Sequence, residues 1–137
     1  MKKLKKIVLC SLCIGIFATQ IIYAATTYTD ARTWSLTRGQ GYSTKTTTGE
    51  KLGSNKETDS KYWIVYTVSR TMISSPKLKL VNSNGEERSE VITAGKTGQY
   101  AKGDSNTGTI GYALYLSVKP GALQFGTDTI KLQMKTY

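Results

Sequence analysis

The chain has 137 residues, two cysteines, no histidine and a formal net charge of +10 at pH 7. The lack of histidine excludes Ser-His-Asp and Cys-His catalysis and every His-ligated metal centre. Both cysteines, Cys10 and Cys13, lie near the start, so the rest of the chain can form no disulfide and must be held by packing.

The first 24 residues read as a secretory signal peptide. Lys2, Lys3, Lys5 and Lys6 form a basic start, residues 7–18 an apolar run, and Ala24-Ala25 a small-residue exit, with Ile22 and Ala24 at the two recognised positions before the cut. Ser11, Thr19 and Gln20 interrupt or end the apolar stretch, which is short for a span of about 20 residues. Neither cysteine stands in a lipid-anchor pattern. Cleavage after Ala24 leaves residues 25–137 as one secreted domain with 15 basic and nine acidic residues, a charge of +6. Part of the basicity therefore belongs to the leader. The Lys-rich leader and the absence of an Asn-x-Ser/Thr sequon point to bacterial export, to the medium or the cell wall, or to the periplasm if the host has two membranes.

From residue 28 the pattern is period two, the spacing of half-buried strands. Tyr28, Trp34 and Leu36 share one parity, and a row of Thr, Ser and Ala occupies the other. Such a row could form a flat hydroxyl array, although Thr is also an ordinary soluble strand former. Residues 39–61 carry few apolar groups beyond Tyr42 and Leu52. A weak strand or hairpin over residues 42–48 and then a mobile, solvated loop are expected there. The charges at Lys45, Glu50, Lys51, Lys56, Glu57 and Asp59 are too dense for a membrane-inserting hairpin.

Residues 62–73 are the most apolar stretch of the domain. Ile64, Tyr66 and Val68 lie on one face and Trp63, Val65 and Thr67 on the other, which predicts a central strand covered on both sides for part of its length. Pro76 stops it. Residues 77–81 form a short alternating strand, Asn82-Ser83-Asn84-Gly85 a turn, and residues 86–93 a returning edge arm guarded by Glu86, Glu87, Arg88 and Glu90. Residues 94–108, rich in glycine, read as a loop. Ile110, Tyr112, Leu114, Leu116 and Val118, then Ile130, Leu132 and Met134, mark two strands joined through Pro120-Gly121 and Gly126-Thr127-Asp128, expected to close the chain as a hairpin.

These elements define an all-β domain: a single small antiparallel sandwich of six to eight strands, or alternatively a small barrel. Trp34, Trp63, Tyr66 and Tyr112 are expected in its core. Most carboxylates sit in polar loops or turns, out of the apolar surroundings that would fit one for acid catalysis. Asp104-x-Asn106-x-Gly108 is only a fragment of a calcium loop and reads better as a turn. The sequence therefore implies no enzyme, no cofactor and no metal.

Binding is the remaining chemistry. Lys77 and Lys79 alternate outward on one strand, Lys131 and Lys135 on another, and Lys119 ends a third. If those strands are neighbours, they make a basic face suited to an anionic cell-wall polymer, a glycan or a membrane surface. Tyr42, Tyr100 and Tyr115 add rings for stacking. No specific nucleic-acid motif is present. The expected function is a non-enzymatic binding or structural module at the cell envelope. The alternative is a small bacteriocin-like or toxin-like antagonist acting on membranes.

Overall fold

The computed structural model describes residues 28–122 and 125–137; the expected signal peptide and its cut lie outside them. Among the described residues there are eight strands and no helix: β1 (Arg32–Thr37), β2 (Gly53–Asn55), β3 (Tyr62–Arg70), β4 (Lys77–Val81), β5 (Ile92–Thr93), β6 (Tyr100–Asp104), β7 (Ala113–Lys119) and β8 (Thr127–Thr136). They form two four-stranded antiparallel sheets, ordered β1-β8-β3-β6 and β2-β7-β4-β5.

Period two explains how the sheets meet. Trp34 and Leu36 of β1, Trp63 and Val65 of β3, and Ile130, Leu132 and Met134 of β8 join one buried cluster with Leu78 and Leu80 of β4 and Leu114, Leu116 and Val118 of β7. Each sheet turns its apolar parity toward the other and leaves the opposite parity outside, so one hydrophobic core lies between two layers. The central strand expected at residues 62–73 is β3, flanked by β8 and β6. Its pairing with β8 shifts between Thr67 and Ser69, a bulge of the kind that adds local twist. The edge arm is also found: β5 is an edge strand, and Gly85 completes the preceding turn at φ +84°. The Asn82 carboxamide oxygen accepts from the Asn84 and Glu86 amides in that turn.

Four expectations are corrected. β7 and β8 are not a hairpin, because they belong to different sheets and face each other across the core. An apolar stripe satisfies its burial equally well beside or opposite another, and alternation alone does not tell the two apart. The glycine-rich stretch 94–108 contains β6. Gly103 pairs with Trp63 there, and a Cβ at that position would lie 2.6 Å from the indole nitrogen, so this glycine admits the ring instead of breaking the strand. The Ser43–Val118 bridge falls within the weak strand or hairpin expected at 42–48, but the mobile, solvated loop expected after it is instead anchored by β2, by buried Leu52 and by Lys56, which is only 2% exposed. Finally, Tyr66 lies on the outer face of β3, while Tyr112 packs only partly against the core.

Candidate functional site

The β4–β7 pairing creates the first notable surface. Its register sets Lys77 directly opposite Lys119 and Lys79 opposite Ser117, on the outer parity of the second sheet. Tyr42, carried beside β7 by the Ser43–Val118 bridge, covers this corner. Lys79 Nζ lies 4.4 Å and Lys119 Nζ 5.7 Å from the Tyr42 ring centroid, within the range of cation–π attraction. Burial pushes the Tyr42 hydroxyl above its ordinary pKa of 10.0, with Lys79 opposing the shift and Glu87 adding to it.

Beside Tyr42 opens a cleft of about 490 Å³, lined by the side chains of Arg38, Gln40, Lys77 and Lys119 and floored by Pro120 and Gly121. No carboxylate lines it. Arg38 follows the β1 strand, and its amide donates to the Gly126 carbonyl, which brings the guanidinium to this end of the molecule. Lys79 is neutralised by Glu87 at 2.6 Å, but among the described residues Arg38, Lys77 and Lys119 enter no ion pair. Lys77 donates only to the Thr93 hydroxyl, at 2.7 Å. The cleft is thus a small, open concentration of positive charge.

Four of the expected binding residues, Lys77, Lys79, Lys119 and Tyr42, therefore come together. The others do not. Tyr115 stands on the same sheet but is packed flat over Gly53, where a Cβ would meet its ring at 2.7 Å, and Lys51 Nζ lies 5.2 Å from that ring. Lys131 and Lys135 lie on β8, in the other sheet, so the two rows of lysine do not share a face. Lys131 is exposed; Lys135 is 2% exposed, 3.8 Å from Glu57 and 4.7 Å from the Tyr137 ring centroid. Tyr100 is on β6, also in that sheet.

Sequence reasoning missed Arg38, for which a charge beside a glycine turn is no more than a weak signal. It also missed a second surface, on the outer face of the first sheet, where Tyr100 has company. Tyr66 and Tyr100 are cross-strand partners with ring centroids 4.8 Å apart, and Tyr28 lies 6.1 Å from Tyr100. Burial, then the neighbouring Tyr137 and Tyr100 hydroxyls, raise the pKa of Tyr28 above 10.0. The signal was available: Tyr62, Ile64 and Tyr66 share a parity, and Trp63, Val65 and Thr67 already fill the inner one.

A buried amine underlies this surface. Lys56 Nζ donates to the main-chain oxygens of Ser60 and Tyr137, tying loop 56–60 to the end of β8. Desolvation lowers its pKa from 10.5, with Asp59 partly opposing. Among the described residues no group of three or more His, Cys, Asp or Glu could hold a metal ion.

No family model matches this chain, and no curated protein matches it. Among solved structures it is similar to one described as "EclA C-terminal domain; sugar-binding protein", with 18% identity over 80% of this chain and 81% of that one and a TM-score of 0.37. A likeness that loose carries no argument about ligand.

Proposed function

We propose that this is a secreted, non-enzymatic binding module of the bacterial cell envelope, and that the cleft of Arg38, Lys77, Lys119 and Tyr42 holds an anionic polymer. The observation that carries this reading is the direct cross-strand pairing of Lys77 with Lys119 beside a third cation and no carboxylate. Like charges placed opposite each other on neighbouring strands cost stability. A phosphate-bearing chain across the cleft would relieve that repulsion, with counterion release adding to the gain.

The test is retention of residues 25–137 on purified cell walls, intact or stripped of teichoic acid, across a salt series. Wild-type protein is retained at low salt and released both by salt and by stripping. Replacing Lys77 and Lys119 with Ala reduces the slope of log affinity against log salt by about two. Equal retention of the double variant, or no retention of the wild type, would sink the reading.

A second reading, an antagonist of membranes, has one observation in its favour. Ile73 and Phe125 are 98% and 75% exposed, and both lie at the end of the molecule that bears the cleft. Arg38 is 5.7 Å from the Phe125 ring centroid, and Gly121 packs against Ser74 and Ser75. Exposed apolar tips beside cations suit an anionic bilayer. Dye release from phosphatidylglycerol vesicles, abolished by replacing Ile73 and Phe125 with Ser, would favour this reading over the first.

A further inference from the structure

The outer face of the first sheet carries a different chemistry from the cleft. Three registered rows cross β8, β3 and β6: Gln133–Tyr66–Tyr100, Lys135–Ile64–Lys102 and, at the end of the sheet, Tyr137–Tyr62–Asp104. With Tyr28, this face gathers five of the nine tyrosines of the sequence. Tyr62 and Tyr100 remain 62% and 58% exposed. Against Tyr62 lies a pocket of about 300 Å³ lined by Ser60, Tyr62, Ile64, Lys102 and Tyr137.

We infer that this face is a second binding site, for neutral β-linked glycan chains, with one sugar ring seated in the pocket and the next stacked toward Tyr100. Tyrosine offers a broad apolar ring with a hydroxyl at its edge. A pyranose whose hydroxyls are all equatorial has the matching form, a flat C–H face rimmed by polar groups. Polar side chains alternate with the rings as such a ligand requires: Lys102 and Asp104 on β6, Gln133 on β8 and Ser60 at the rim. Charge also separates this site from the cleft. Lys102 shares its strand with Asp104, and Lys135 has Glu57 at 3.8 Å, so the face is balanced and does not select an anion. Its pocket is at the lower end of the range of about 300–1,000 Å³ typical of small-ligand sites, a size that admits one sugar residue of a polymer.

The experiment is retention of the protein on chitin and on cellulose at 1 M NaCl, where charge attraction is screened within about 3 Å. Wild type and the Lys77→Ala/Lys119→Ala variant are retained alike, which separates this site from the cleft. Tyr62→Ala and Tyr100→Ala each weaken retention about tenfold, and Tyr62→Phe keeps most of it. Independently of any variant, chitohexaose added to the ¹⁵N-labelled wild-type protein shifts the amide signals of residues 60–66 and 100–104. Absence of retention on both polysaccharides, retention indifferent to both Ala replacements, or shifts located elsewhere would each overturn the inference. So would shifts in 60–66 and 100–104 that follow protein concentration and not the sugar, since the face would then join two copies of the chain.

Discussion

Gly103 shows how one residue decides whether a strand can form. A methyl group there would lie 2.6 Å from Trp63 Nε1 and 2.9 Å from Ile92 Cγ2, closer than packed carbon atoms approach, so the fully buried Trp63 ring would have to shift. Gly103→Ala is therefore expected to destabilise the domain by about 1–3 kcal/mol, the usual cost of overpacking, read from the urea midpoint. Lys56 gives a pH-dependent case. Its folded pKa lies below its ordinary 10.5, so the unfolded chain binds more protons over that interval, and the contribution of Lys56 to stability rises as pH climbs from the lowered value toward 10.5. A neutral amine still has two N–H groups to donate to Ser60 and Tyr137. The stability difference between wild type and Lys56→Met is thus expected to shift in favour of wild type with rising alkaline pH; a difference independent of pH would contradict the assignment.

Strand β8 carries the largest share of the architecture. It lies between β1 and β3, and its Ile130, Leu132 and Met134 are fully buried. Leu132 pairs with Arg32 on one side and Thr67 on the other, so Leu132→Ala is expected to cost about 2–5 kcal/mol in chemical denaturation. Elements of this kind are legible in sequence because a half-buried strand repeats its apolar parity at every second residue. β3, β4, β8 and the Asn82–Gly85 turn declare themselves in that way. β2 and β6 do not. Gly53 and Gly103 stand where the strand patterns call for side chains, because the rings of Tyr115 and Trp63 occupy those places, and that space is supplied by a distant part of the chain. Lys56 was equally illegible, since its buried partners are main-chain oxygens. The sheet partners of β7 and β8 were hidden for a further reason: parity records that a face is buried, not what buries it.

At the scale of the whole molecule, the core separates two surfaces of unlike character. The second sheet ends in the cationic cleft around Tyr42, and the first presents tyrosines alternating with balanced polar groups. Half of the cleft was readable because Lys77, Lys79 and Lys119 stand on outward parities; Arg38 joins them only through the fold. The tyrosine face depends on β6, the strand hidden by its glycine. The sheet order has a consequence in time. Until Thr127–Thr136 is available, β1 has no strand to pair with and β3 has only β6. The first sheet cannot be assembled progressively from its beginning, because its second member, β8, follows the other seven described strands in the chain and pairing it with β1 joins segments about a hundred residues apart. A chain ordered in this way leaves β1 without its sheet neighbour until β8 has been made, whereas the pairs β3–β6, β4–β5 and β4–β7 involve no part of β8.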